Sequence, residues 1–336
     1  MQLSDGKIKH LNALSNKEGV IAAAAMDQRG SLRKMIAGAK GVDQKQIPDE
    51  MLSEFKTAVS KILTPHASAI LLDTEFGLPA AKARSKNAGL LLAYEESGYD
   101  NTQPGRLPDL LPHLSARRIR EYGANAVKVL IYYTPFEKTD INDIKHAFIE
   151  RIGAECETLE IPFFLEFVGY DENGGDEKGL EYAKKKPEVV MGSMREFSKE
   201  QYKVDVLKVE VPVNSNFVEG SRGFKGQAAY SRKQALELYR KAAEIAEKPF
   251  IYLSAGVSNP EFIEQLEMAA EAATDYSGVL CGRATWKDGV AIYGQKGVQA
   301  LEDWLSDQGV KNIESVNSAI KTAKPWRAKL GVAAVA

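Results

Sequence analysis

The chain of 336 residues is poor in several things. It has two cysteines, Cys156 and Cys281, too few and too far apart for a disulfide framework. Its four histidines, His10, His66, His113 and His146, fall at no predicted strand end and form no ligand cluster. A zinc site built on histidine is therefore disfavoured. There is no excess of one charge: the net value is −2. That argues against a general nucleic-acid binder but allows a local basic pocket for a small anion. The longest clear apolar run, at 20–26, has seven residues, against the ~20 that a membrane-spanning helix needs. The first ten residues are polar and hold no apolar signal core. The expectation is a soluble cytoplasmic protein with no membrane or nucleic-acid partner. Hydrophobic residues at 44% and charged residues at 27% are ordinary globular values.

What is present is a repeated pattern. Short apolar runs occur at 20–26, 67–72, 89–94, 125–133, 162–168, 204–211, 250–254 and 278–281. They do not alternate strictly with polar residues, which suits parallel strands covered on both faces. Amphipathic helical stretches lie between them, at 48–63, 114–122, 140–159, 231–247, 259–273 and 290–306. Asn259-Pro260 reads as a helix cap followed by proline at the first helical position. Eight strands alternating with helices fit a closed barrel or a doubly wound sheet. The count of eight, and the lack of a glycine fingerprint after the first strand, favour a single (β/α)8 TIM barrel. The surplus over ~250 residues goes to extended loops at 95–112, 169–198, 214–230 and 308–336, with a frayed tail from about residue 329.

Charges inside buried strands are costly and need a reason. Lys128 lies in the fourth run, Glu166 in the fifth, Lys208 and Glu210 in the sixth. Alternation puts Lys208 and Glu210 on one face. If that face is the lumen, Lys128, Glu166 and Lys208 converge near the C-terminal mouth, where barrel enzymes keep their chemistry. A structural salt-bridge network is the bland alternative. The functional one is specific. A lysine beside another ammonium and an apolar wall can drop from ~10.4 toward ~7, worth about 4–5 kcal/mol. Its neutral amine can then attack a ketone and form an imine, an electron sink that lets the adjacent carbon–carbon bond break. Spacing does not settle which lysine attacks. Lys208 is favoured, with Lys128 as its neighbour and Glu166 as general acid and base. Glu210 reads as a structural partner of a lysine.

The seventh run leads into Ser254-Ala255-Gly256 and the eighth into Gly282-Arg283. Loops after these two strands often form a phosphate site, with small residues for close backbone approach and an arginine as planar donor. Asp27, Gln28 and Arg29 follow the first run and read as site residues by position, with helix capping by Asp27 as the alternative. Asp73 and Glu75, after the second, read as charges outside the reacting centre. Together with Glu210 they keep a magnesium-dependent lyase or isomerase as a rival chemistry. A non-catalytic sugar-phosphate sensor is a third reading. The loop 218–226, with Arg222 and Lys225, reads as a solvated surface loop.

Several stretches carry a resemblance. They are Met26-Asp27-Gln28-Arg29-Gly30, Ala69-Ile70-Leu71-Leu72-Asp73, Ala88-Gly89-Leu90-Leu91-Leu92-Ala93-Tyr94-Glu95, Val206-Leu207-Lys208-Val209-Glu210-Val211-Pro212-Val213, Ile251-Tyr252-Leu253-Ser254-Ala255-Gly256-Val257 and Gly278-Val279-Leu280-Cys281-Gly282-Arg283-Ala284-Thr285-Trp286. The chain resembles the class I tagatose 1,6-bisphosphate aldolase family from about Leu11 to Trp326. The resemblance implies reversible cleavage to dihydroxyacetone phosphate and glyceraldehyde 3-phosphate, with fructose 1,6-bisphosphate as a further substrate. It implies a Schiff base on Lys208, acid–base work by Glu166, and Asp27, Gln28 and Lys128 beside the imine and hydroxyls. It places Ser254, Gly256, Gly282 and Arg283 on the dihydroxyacetone phosphate end. Arg29 is the candidate for the second phosphate. Neither metal nor cofactor is needed on this route, and the resemblance allows a homodimer. Related barrels that act on sulfofructose or its phosphate, or transfer a dihydroxyacetone unit, are the alternative.

Overall fold

The computed structural model describes residues 3–99 and 102–330. Eight parallel strands close into a barrel in chain order. They are β1 (Ile21–Met26), β2 (Ala69–Leu72), β3 (Gly89–Ala93), β4 (Ala126–Tyr132), β5 (Phe163–Val168), β6 (Val206–Val209), β7 (Phe250–Leu253) and β8 (Gly278–Cys281). β1 pairs with β8 to close the ring. The eight runs of the sequence are these eight strands, so the (β/α)8 expectation holds.

Strand side chains alternate between two environments. Ala22, Ala24, Met26, Val127, Val129, Phe163, Leu165, Leu207 and Val209 pack outward against the helices. Ile21, Ala23, Ala25, Ala69, Leu71, Leu91, Ala126, Phe164, Val206, Ile251 and Leu280 fill the lumen. Lys128, Glu166 and Lys208 each lie two residues beyond a lumen position: Ala126, Phe164 and Val206. Alternation therefore keeps them inside the barrel and moves them one layer toward its C-terminal mouth. Strand register sets Glu166 directly beside Lys208. The alanines of β1 are short, which leaves room for long side chains reaching in from β4 to β6.

The floor of the barrel is closed by the helix Asp5–Leu14 and by Trp326, whose apolar side chains join the lumen cluster. Ser4 caps that helix by accepting from Lys7 N–H.

Three readings of the connections need correction. The stretch 169–198 is not simply a loop: it holds the 18-residue helix Leu180–Phe197 with Pro187 inside. Proline in a helix interior removes one backbone donor, and a lysine run precedes it here, which masks the helical period. The segment 308–336 likewise holds the helix Val310–Ala319. The helix after β7 is capped by Ser258, not Asn259. The Ser258 hydroxyl accepts from Glu261 N–H and the Glu261 carboxylate returns to the Ser258 backbone, so Asn259 and Pro260 are already inside. At the C-terminus, Lys329 Nζ donates to the carbonyls of Ala243 and Ala246. The rest of the tail expected to fray, 331–336, lies outside the described residues. Among the described residues no helix is long and apolar enough to cross a membrane.

Candidate active site

A cavity of about 690 Å³ opens at the C-terminal ends of the strands. At its base, Lys128 is fully buried and sits among three carboxylates. Its Nζ lies 2.8 Å from Asp27 Oδ2, 2.7 Å from Glu95 Oε1 and 2.9 Å from Glu166 Oε2. Lys208 Nζ donates to the same Glu166 Oε2 at 2.7 Å. One carboxylate oxygen therefore bridges two ammonium groups.

The electrostatics follow from burial and these contacts. Burial alone would depress the Lys128 ammonium, but Asp27, Glu166 and Glu95 outweigh it and raise its pKa well above the ordinary lysine value. Burial opposes ionisation of Asp27 and Glu166 too. In both, Lys128 and then Lys208 prevail and hold the carboxyl below its usual range. Glu95 goes the other way. Burial pushes its carboxyl up, and Lys128 and Arg29 only partly offset that. The two lysines are thus unequal: three carboxylates commit Lys128 to its charged form, while Lys208 has one carboxylate partner among the described residues.

Two oxygens in this cluster are buried and accept no hydrogen bond within the described chain: Glu95 Oε2 and Gln28 Oε1. Gln28 Nε2 is engaged, donating to Asp27 Oδ1 at 3.1 Å. A buried acceptor left without a donor costs about 1–3 kcal/mol.

The opposite wall is built for close approach. Ala255 and Gly256 both have positive φ, at 46° and 78°. The Arg283 guanidinium lies on Gly256: a Cβ there would come within 2.6 Å of Arg283 Cζ. A Cβ on Gly282 would come within 2.9 Å of the Ala25 carbonyl oxygen. Ser254, Gly256, Gly282 and Arg283 all line the cavity, and Arg283 pairs with no carboxylate among the described residues. Arg29 also lines it, but its guanidinium is held: one end donates to Glu75 Oε2 at 2.7 Å, the other to the Glu95 carbonyl at 2.8 Å.

The model of the DeoC/LacD family aldolases matches residues 21–288. The chain belongs to the DeoC/LacD aldolase family. It is 52% identical over 332 residues to a protein named tagatose 1,6-diphosphate aldolase from Listeria monocytogenes serotype 4a (strain HCC23), covering 98% of this chain and 96% of the relative. It is 53% identical over 333 residues to tagatose 1,6-diphosphate aldolase 2 of Enterococcus faecalis (strain ATCC 700802 / V583), covering 99% of each. A sulfonated ketose finds no counterpart in these two names. Among solved structures, fructose-bisphosphate aldolase from Plasmodium falciparum, in complex with TRAP and an inhibitor, superposes with a TM-score of 0.71 at 13% identity, over 96% of this chain and 97% of that one. A Schiff-base-forming fructose-1,6-bisphosphate aldolase gives 0.54 at 12%, over 88% and 97%. At such identities the likeness concerns the fold alone.

In this DeoC/LacD chain every residue singled out from the sequence for catalysis or binding lines the one cavity: Asp27, Gln28, Arg29, Lys128, Glu166, Lys208, Ser254, Gly256, Gly282 and Arg283. The acidic residues that kept a magnesium reading open do not gather. Asp73 is fully buried and pairs with Lys56 at 2.5 Å. Glu75 holds Arg29, and Glu210 pairs with Lys186 at 3.1 Å, the lysine partner expected for it. Arg222 lies against the helix after β7, paired with Glu267 at 3.2 Å.

Two features escaped the sequence reading. Lys56 Nζ donates to the carbonyls of Met26 and Gln28, on either side of Asp27, at 2.7 Å each. It clamps the turn that presents Asp27. Glu95 is the other. It follows β3 on the lumen side of the alternation, four residues beyond Leu91, just as Asp27 follows Ala25 on β1. The same strand-end rule that found Asp27 identifies it.

Proposed function

We propose that this chain is a class I aldolase that cleaves tagatose 1,6-bisphosphate reversibly into dihydroxyacetone phosphate and glyceraldehyde 3-phosphate through a Schiff base on Lys208. The observation that carries the reading is the shared oxygen: Glu166 Oε2 touches both Lys208 and Lys128 at the base of a cavity large enough for a sugar bisphosphate. The names of the relatives supply the substrate.

Lys208 hands its extra proton to Glu166 or solvent and its amine attacks the C2 ketone. Loss of water gives the protonated imine. Glu166 removes the C4 hydroxyl proton, the C3–C4 bond breaks, and its electron pair moves into the imine to form an enamine. The aldehyde leaves. Protonation at C3 and hydrolysis then release dihydroxyacetone phosphate and restore the amine. Lys128 stays an ammonium throughout, which suits it to steady developing negative charge on oxygen. Asp27 and Gln28 orient substrate hydroxyls beside it.

Ser254, Gly256, Gly282 and Arg283 take the phosphate of the dihydroxyacetone half, through small-residue backbone approach and a guanidinium free of carboxylate partners among the described residues. Arg29 meets the second phosphate by exchanging Glu75, whose side chain is 34% exposed and can turn to water. On this reading the chain is one catalytic domain, which the packing of its first helix and Trp326 under the barrel floor supports, and a cytoplasmic enzyme, in keeping with a sugar-phosphate substrate.

The test is borohydride reduction with dihydroxyacetone phosphate. The protein gains the mass of the reduced adduct at Lys208, and Lys208→Met gains none and loses at least ~10⁴-fold in cleavage rate. Full cleavage activity in Lys208→Met overturns the assignment. Side-by-side specificity constants for tagatose and fructose bisphosphates rank the two substrates.

A further inference from the structure

Glu95 has no part in the imine steps just described, yet the fold places its carboxyl beside them. It is 5% exposed and lines the cavity at the end of β3. Its two oxygens are treated differently. Oε1 accepts from Lys128 at 2.7 Å. Oε2 is buried and has no hydrogen-bond partner among the described residues. Its backbone carbonyl is held by Arg29 at 2.8 Å, so the residue is fixed at both ends. Gln28 repeats the arrangement: one end of its amide is tied to Asp27 and the other, Oε1, is unmet. Two anchored side chains that line the same cavity thus each keep one buried, unsatisfied oxygen. Phosphate does not suit these oxygens, because an anion would meet a carboxylate and an amide carbonyl with no proton between them. A sugar hydroxyl does suit them, since it can donate to either acceptor.

We propose that Glu95 is a specificity residue that takes one hydroxyl of the carbon chain between the two phosphates, through Oε2, while Oε1 stays on Lys128. The inference rests on the aldolase reading of this cavity and deepens it by assigning a residue to the hydroxyl-bearing middle of the substrate.

The experiment measures inhibition constants of a hexitol 1,6-bisphosphate and of its 3-deoxy, 4-deoxy and 5-deoxy analogues. It uses the full chain, Glu95→Ala, and Glu95→Met, which keeps the side-chain volume if the alanine variant fails to fold. One deoxy analogue binds the unaltered chain about ten- to a hundredfold more weakly than the parent. In the Glu95 variants the parent weakens to match that analogue and the discrimination vanishes. If the parent and all three analogues weaken by the same factor, Glu95 acts only on Lys128 and the proposal is wrong. If no constant changes, it is also wrong. Reductive trapping of dihydroxyacetone phosphate in the unaltered chain is read in parallel. Absence of an adduct at Lys208 there sinks the aldolase reading itself, separately from the role of Glu95.

Discussion

The two ends of the barrel each bury a lysine against carboxylate, and they do it in opposite ways. At the floor, Lys7 Nζ donates to both oxygens of Asp205, at 3.0 and 2.8 Å. Asp205 Oδ2 also accepts from Phe163 N–H at 2.8 Å. That pair is closed: one cation, one anion, both acid oxygens bonded. Burial raises the Asp205 carboxyl, with Lys7 pulling against it. At the mouth, two lysines share three carboxylates, one oxygen serves both cations, and Glu95 Oε2 has no partner among the described residues. A closed pair ties elements together. An open cluster keeps spare hydrogen-bonding capacity, which is what a ligand can use.

Changes at the mouth should move rate and stability together. Lys128→Met leaves Glu166 with Lys208, Glu95 with Arg29 and Asp27 with the more distant Lys208 and Lys56. Cleavage should fall by about 10³-fold and stability by about 3–5 kcal/mol. The pH dependence supplies the sharper test. In the unaltered protein the lowered Asp27 and Glu166 carboxyls add stability above their unfolded values of ~4, lost as pH falls through their folded values. The raised Lys128 adds stability below ~10.4, lost as pH rises through its folded value. Between pH 5 and 8 these three groups contribute no slope, and Glu95, whose raised carboxyl adds stability at low pH that is lost as pH rises through its folded value, gives a shallow decline. In Lys128→Met the Asp27 and Glu166 carboxyls move above their unfolded values and join Glu95, already raised, so stability should climb more steeply as pH drops from 7 toward 4. Urea midpoints across that range check it, and a profile no steeper in the variant would show that Lys128 is not what holds the acids ionised.

Glu166→Gln comes next. It keeps the shape but removes the proton acceptor, and cleavage should fall by about 10²–10⁴-fold. Borohydride trapping with dihydroxyacetone phosphate reports on Lys208 separately. A variant that cleaves at the full rate would move the acid–base role elsewhere.

Lys7→Met should have the smallest effect on rate, within about twofold, because it is one barrel length from the cavity. It should still cost about 3–5 kcal/mol by leaving Asp205 buried and alone. Adding Asp205→Leu should recover most of that loss, since a buried pair replaced by apolar residues is often near neutral. A large loss of rate in Lys7→Met, with stability restored by the second change, would erase the distinction between the two ends.

The barrel was legible because parallel strands buried on both faces must be apolar runs, and the chain has eight. The reacting lysines and Glu166 were legible because charge inside such a run is costly and conspicuous. Other parts were hidden for equally physical reasons. Pro187 and the lysines before it disguise the helix Leu180–Phe197, which brings Tyr182 and Lys186 to the cavity. Lys56 lies on an amphipathic helix, where a lysine ordinarily points to water. Its spacing, four residues after Leu52 and three before Val59, puts it on the buried stripe, but residue type masks the ammonium that turns inward to Asp73 and two carbonyls. Glu95 sat one residue past an apolar run, at the edge between strand and loop.

The charged cluster also bears on how the chain reaches its fold. Lys128 and Asp27 are 101 residues apart, Lys128 and Glu95 are 33 apart, and Lys208 and Glu166 are 42 apart. Neighbouring strands bring single pairs, Glu95 with Lys128 and Glu166 with Lys208, but Asp27 comes from the end of β1, on the far side of β2 and β3 from Lys128. A half-assembled barrel would bury some of these groups without their counter-charges, at a penalty that grows as water leaves. The cluster therefore favours an all-or-none closure. Partly wound barrels are penalised, and the machinery for breaking a carbon–carbon bond comes into existence together with the ring that houses it.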